Sequence, residues 1–128
     1  MSEQQPQPEV VFDFAQQRDA VAAGLLPGER LVAVLDAVGT GTGFLGLTDA
    51  RVLVQDRALV GGRSTLVSIP YGRIISVGFV ADSDLGIEAL SSSTIAISVS
   101  GAVHQVAFRG ADKARYAHDT VLWHVLNG

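Results

Sequence analysis

From Arg30 to Arg109 the chain reads as short apolar runs separated by glycine-rich or acidic breaks. Val, Ile, Leu and Phe dominate these runs with partial period-two alternation, which predicts strands over Arg30–Ala37, Phe44–Asp49, Arg51–Arg57, Arg63–Ile69, Arg73–Ala81, Ser93–Val99 and Ala102–Arg109. The breaks are Gly39–Gly43, Gly61-Gly62 and Asp82–Gly86. Residues 87–92 fit either a short extra strand or the end of the loop before them.

The last pair of strands can be tested for internal consistency. With Ser100-Gly101 as a two-residue turn, Val99 faces Ala102, Ile97 faces His104, Ile95 faces Val106 and Ser93 faces Phe108. This register puts Ile95, Ile97, Val99, Val106 and Phe108 on one face. Ala96, Ser98, Val103 and Gln105 take the other. A slip of one residue would invert the two faces, so the apolar pattern selects this pairing.

Beyond Gly110 the period changes. Ala114, Ala117, Val121, Leu122 and Val125 recur at helical spacing, with Arg115 and Asp119 opposite, so a helix over Ala111–Leu126 closes the chain. Asp112 near its start suits the helix dipole. At the other end, residues 1–8 read as a polar, Gln- and Pro-rich tail. Asp13 and Gln16 have capping-box spacing, which predicts a short helix with Val11, Phe14, Arg18, Val21 and Ala22 on its packing face. Gly24 is placed to end it. The division expected is a tail and short helix over 1–24 and a globular domain over 25–128. Connections between the strands too short for crossover helices argue against a parallel, doubly wound fold. The fold class is therefore mainly β: an antiparallel, partly open barrel whose mouth the terminal helix covers.

Three segments point to a family. Leu26-Pro27-Gly28-Glu29-Arg30 precedes the first long strand, Gly46-Leu47-Thr48-Asp49-Ala50-Arg51-Val52-Leu53-Val54 spans the next junction, and Ser68-Ile69-Pro70-Tyr71 is followed by Ile74. In order and spacing they resemble the bacterial pleckstrin-homology-like domains over roughly residues 25–127. The resemblance implies an orthogonal sandwich of seven strands with one open end plugged by the helix. It also implies a non-enzymatic role and, in some members, assembly into oligomers. The same residues have structural duties. Thr48 and Asp49 suit a tight turn. Pro70 ends a strand. Tyr71 can pack its ring with its hydroxyl at the surface. Arg51 can bond backbone carbonyls.

Composition narrows the function. Charged residues are 17% of the 128, against roughly 25% in an average soluble domain. A surface short of charge points to contact with another copy or another protein. The single lysine, Lys113, and eight arginines are dispersed, and the net charge is −4, so there is no basic footprint for nucleic acid. With no cysteine, disulfides and thiolate metal sites are excluded, and a cytoplasmic setting is expected. The long uncharged run Ala89–Phe108 holds too many Ser, Thr and Gln to read as a membrane span.

Candidate chemistry is sparse. Gly41-Thr42-Gly43-Phe44-Leu45-Gly46 matches a dinucleotide fingerprint, but a strand pattern follows it where a helix is required. Asp36–Gly43, the loop that would hold an inositol phosphate, contains no Lys or Arg, which disfavours phosphoinositide binding. His104, His118 and His124 have no metal-ligand spacing. Asp82, Asp84 and Glu88 read as a solvated acidic loop. No catalytic, cofactor or metal residues emerge. The binding candidates are Arg57 and Arg63, flanking Ala58–Gly62, and Trp123, a helix residue expected to pack at the barrel end, whose partly amphipathic ring equally suits an interface. The function expected is a non-enzymatic binding or assembly module, with a protein partner or a second copy. The alternative is a membrane-surface or small-ligand binder.

Overall fold

The computed structural model describes residues 9–38, 42–60, 63–81 and 92–128. In chain order these form β1 (Val11–Phe12), α1 (Ala15–Ala22), β2 (Leu31–Asp36), β3 (Thr42–Thr48), β4 (Arg51–Val60), β5 (Arg63–Pro70), a 3-10 turn (Tyr71–Arg73), β6 (Ser76–Ala81), β7 (Ser92–Val99), β8 (Ala102–Arg109) and α2 (Ala111–Asn127). They make one five-stranded sheet, β1-β2-β3-β4-β5, and one three-stranded sheet, β6-β7-β8. All pairs are antiparallel except β1 with β2. At one corner the Val38 N–H donates to the Ala107 carbonyl (2.8 Å) and stitches the sheets together. At the other, the chain crosses from β5 to β6 through the 3-10 turn, and no ladder closes the barrel there among the described residues.

The β7–β8 register is the expected one at every pair, from Val99 opposite Ala102 to Ser93 opposite Phe108. Gly101 sits at φ 83°, while Ser100 keeps a negative φ, the sign pattern of a type II turn. Ile95, Ile97, Val106 and Phe108 are fully buried on the inner face. They meet Ala33, Leu35, Leu45, Leu47, Val52 and Val54 from the large sheet and Ala114, Ala117 and Val121 from α2. The alanines let the helix approach closely. They also narrow its buried stripe, so Leu122, expected on that face, stands exposed at its margin.

The N-terminal segment departs from expectation. Val11 and Phe12 pair in parallel with Ala33 and Val34, adding an eighth strand too short to show a period. Asp13 is not a helix cap. Its Oδ2 accepts the Asp36 N–H (2.8 Å) and pairs with Lys113 Nζ (2.8 Å), charge-assisted partners that outbid the local amide. The residue at the cap position is Phe14, with no side-chain cap bond. Of the predicted packing face only Val21 is buried. The strand predicted from Arg73 begins at Ser76, because Pro70 leaves the β5 edge and the Ile74 N–H bonds back to the Tyr71 carbonyl (3.1 Å), closing a turn.

Val21 makes a second small core with Val34, Phe44 and Leu53 on the reverse face of the five-stranded sheet. This is why Leu31–Asp36 reads as a near-continuous apolar run: its middle is buried on both faces. Gly46 permits the docking. A Cβ there would lie 3.2 Å from Val21 Cγ2 and 3.3 Å from Leu53 Cβ. We predict that Gly46→Ala destabilises the fold by about 1–2 kcal/mol and loosens α1 selectively. Denaturant unfolding with amide exchange checks this, the exchange rising in Ala15–Ala22 before the β7–β8 hairpin.

Candidate functional site

The densest polar cluster lies where the turn before β2, the β3–β4 corner and the end of β5 meet. The Glu29 side chain is only 3% exposed. Arg51 grips it with two nitrogens, Nε to Oε2 at 2.8 Å and Nη2 to Oε1 at 2.9 Å. The same guanidinium donates to the Gly24 carbonyl (3.0 Å) and to Ser68 Oγ (2.9 Å). Glu29 also accepts the Leu26 N–H (2.9 Å) and the Thr48 hydroxyl (2.7 Å). Thr48 Oγ1 in turn accepts the Ala50 and Arg51 N–H groups, each at 3.0 Å. The Arg51 hydrogen bonds, then the Leu26 and Thr48 donors, hold the Glu29 carboxyl down from an ordinary 4.5 to about 2, against the opposing effect of burial. Glu29 raises Arg51 reciprocally.

This cluster is closed. Both carboxylate oxygens are occupied, so nothing is left to bind or protonate a substrate. Tyr71 extends it inward. Its ring is buried and its hydroxyl donates to the Thr48 carbonyl (2.7 Å), so it does not reach the surface as expected. Burial, then the Asp49 and Glu29 carboxylates, push its phenol up, which keeps it neutral and unsuited to proton transfer. His124 stacks on Tyr71 (centroids 4.6 Å, 12° between planes), and its Nδ1 lies 2.8 Å from the Thr120 carbonyl. That contact places the proton on Nδ1. His118 lies edge-on to Phe79, and His104 is half-buried opposite Ile97. No group of three His, Asp or Glu able to hold a metal exists among the described residues. Gly43 to Gly46 lie inside β3, so the glycine fingerprint starts no helix.

Sequence reasoning placed Arg51 at a strand start contacting carbonyls, and the Gly24 contact is of that kind. It missed Glu29 as the main partner, although both residues lie in the segments that carry the family resemblance. Arg57 and Arg63 fall in β4 and β5 on either side of residues 61–62, and their side chains lie outside the described residues. The Asp82, Asp84 and Glu88 loop also lies outside them. Trp123 is 60% exposed, with only an edge contact to His124 (5.0 Å, 77°), so it is not packed into the barrel end.

The remaining features are surfaces. One open groove runs along α2 between Val32 and Tyr116, Asp119, Thr120, Trp123 and His124. A second adjoins it through Val32 and Tyr116 and includes Glu9, Val10, Arg30 and Asp49. Asp112 and Asp119 line the first beside Arg115, and Glu9, Glu29 and Asp49 line the second beside Arg30, so acids outnumber the single arginine in each, a poor setting for a phosphate headgroup. The outward face of the three-stranded sheet is different again. Its rows are Ser76-Ser98-Val103, Gly78-Ala96-Gln105 and Val80-Thr94-Ala107. No charge stands on them, none of these residues is buried, and Val80 and Val103 are each more than half exposed. No helix of the described chain is long and apolar enough to cross a membrane.

Two solved structures share this architecture. A pleckstrin homology domain from Shewanella amazonensis SB2B superposes with a TM-score of 0.65 at 19% identity, covering 89% of this chain and 99% of its own. A DUF1696 family protein with a pleckstrin-homology domain from Shewanella loihica PV-4 gives 0.56 at 13% identity, covering 88% and 93%. No family model and no curated protein matches the chain. The fold is therefore pleckstrin-homology-like, mainly β with a C-terminal helix, as the residue pattern and the resemblance both implied.

Because Glu29 is buried with its partner, removing its charge strands Arg51. Glu29→Gln should lower the unfolding free energy by about 2–3 kcal/mol near neutral pH. A carboxyl held down in the folded state stabilises above its ordinary value and loses that contribution as pH falls. The gap between wild type and variant should therefore shrink between pH 4.5 and about 2. Denaturant midpoints across that range test it, and a constant gap would contradict the assignment.

Proposed function

We propose that this chain is a non-enzymatic binding and assembly module, and that a second copy docks on the uncovered face of its three-stranded sheet. The observation that carries this reading is the asymmetry between the two sheets. α1 covers the reverse face of the larger one, whereas the three rows ending in Val103, Gln105 and Ala107 have no covering element among the described residues. An antiparallel sheet that faces water on one side ordinarily alternates apolar with polar residues. Here the outward polar positions, Ser76, Ser98, Thr94 and Gln105, are all uncharged and stand among Gly78, Ala96, Ala107, Val80 and Val103, a low-relief surface that flat sheet-on-sheet packing accommodates. Arg109 marks the margin of the patch.

Magnitude sets the kind of association. Three strands about 4.8 Å apart and five residues at about 3.4 Å each span roughly 240 Å². A standard stable contact takes about 800 Å² per partner. The face therefore supports weak, concentration-dependent association unless flanking strand edges join it. A non-enzymatic role is supported by the Glu29–Arg51–Thr48 cluster, whose donors and acceptors are taken up by one another. A phosphoinositide role is disfavoured by residues 36–43, which contain no Lys or Arg. The cysteine-free composition supports a reducing, cytoplasmic setting.

Sedimentation over a wide concentration range tests the proposal. The wild-type mass should rise above that of the monomer. Ala96→Glu and Val103→Lys should each weaken association at least tenfold, about 1.4 kcal/mol, with little loss of fold stability because both positions face outward. A wild-type chain that stays monomeric at millimolar concentration would overturn it.

A further inference from the structure

We infer that the groove along α2 is a docking site for an arginine-bearing peptide segment of another protein, whose guanidinium groups seat between the Asp112 and Asp119 carboxylates and the Tyr116 and Trp123 rings. This is independent of docking on the sheet face.

The helix sets the pattern. Asp112, Tyr116, Asp119 and Trp123 follow one another at intervals of four, three and four residues, so they share one side of α2. That side is turned away from Ala114, Ala117 and Val121, which are buried in the core. All four residues are exposed, Trp123 by 60%, and Val32 lines the groove with them. Carboxylate and aromatic ring thus alternate along an open surface. Exposed Tyr and Trp on one stripe are the composition of a contact surface rather than of a side that only meets water.

Charge selects the occupant. Among the described residues Asp119 pairs only with its neighbour His118, at 2.8 Å, and Asp112 has no ion pair. The cations beside them are engaged elsewhere. Lys113 holds Asp13, and the Arg115 guanidinium lies 5.1 Å from the Phe79 ring. The adjoining groove shares Val32 and Tyr116 and continues the sign with Glu9 and Asp49. Among cations a guanidinium suits this surface best. Its flat face stacks on an aromatic ring while its edge donates two parallel hydrogen bonds to a carboxylate.

Spacing defines the segment. The Asp112–Tyr116 and Asp119–Trp123 pairs are offset by seven residues, about 10 Å along the helix at about 1.5 Å per residue. An extended chain covers that distance in about three residues. The segment recognised therefore carries arginines three residues apart. One such seat on an open surface contributes little, so affinity rests on filling both.

The probe is the capped peptide Gly-Arg-Ala-Ala-Arg-Gly, with Gly-Glu-Ala-Ala-Glu-Gly as its charge-reversed counterpart, titrated into the full chain. Trp123 is the chain's single tryptophan, so its emission reports the groove, and calorimetry reads the variant that lacks it. The arginine peptide should shift the emission with half-saturation in the high micromolar range. Its affinity should fall several-fold as salt rises from about 50 to about 500 mM. Asp119→Asn and Trp123→Leu should each weaken it roughly three- to fivefold. Both side chains are exposed, and far-UV circular dichroism checks that the fold is kept. Val103→Lys, on the sheet face, should leave the affinity unchanged, and the glutamate peptide should not bind. Equal binding of the two peptides, an affinity indifferent to both Asp119→Asn and Trp123→Leu, or no response at millimolar peptide would overturn the inference. So would emission that shifts with protein concentration in the Val103→Lys variant without peptide, because a second copy would then be the occupant.

Discussion

The Glu29–Arg51 pair is the constraint on which the rest of the architecture leans. Removing two charges from water is costly, and the attraction between them offsets that cost only when the remaining donors and acceptors are met. Here they are met by groups from four different places: the Gly24 carbonyl, the Leu26 N–H, the Thr48 hydroxyl and Ser68. The pair therefore fixes where the chain enters β2, how β3 turns into β4, and how the end of β5 lies beside them. Thr48 passes the constraint on. Its carbonyl holds the Tyr71 hydroxyl, and the Tyr71 ring is the platform on which His124 of α2 stacks. A polar cluster that resembles an active site is thus the joint between the two sheets and the closing helix.

Much of the fold was legible because side-chain period is a local property. The β7–β8 register followed from where Ile95, Ile97, Val106 and Phe108 had to point, and the folded hairpin has every one of those pairs. The span of α2 followed from its alanine and valine spacing. What escaped was whatever depends on partners far away in sequence. Asp13 has a local use, capping a helix, and a distant one, binding the Asp36 amide and Lys113; only the folded chain shows that the distant one wins. Glu29 and Arg51 are 22 residues apart, and neither alone signals a buried pair. β1 is two residues long, too short to show any alternation. Among the binding candidates, Trp123 was legible as an amphipathic residue, but its exposure depends on how narrow the buried stripe of α2 turned out to be.

The N-terminal segment adds a layer to the five-stranded sheet. A five-stranded sheet presents a reverse face that must be wetted or covered. In this chain Gly46 opens a gap in that face and Val21 fills it, so one glycine and one valine suffice to anchor a helix whose other residues are largely polar. Asp13 then locks the approach to the helix against both β2 and α2. The segment is held by a few strong points rather than by a broad apolar face, which is why its amphipathic pattern is weak.

These features explain why function should be sought at the surface. Among the described residues the interior is filled mostly by aliphatic side chains, and the Glu29, Arg51, Thr48 and Tyr71 polar groups are committed to each other. The two grooves are open, and acids outnumber the single arginine in each, a poor environment for phosphate. The three-stranded sheet offers a flat face without charge, in a chain whose charged fraction is already low. Charges normally keep such a face apart from its copies. Their absence is informative because the same sheet could accept lysine at Ala96, Ser98 or Gln105 without touching the core. A face that has room for charge and carries none is best understood as one that another surface meets.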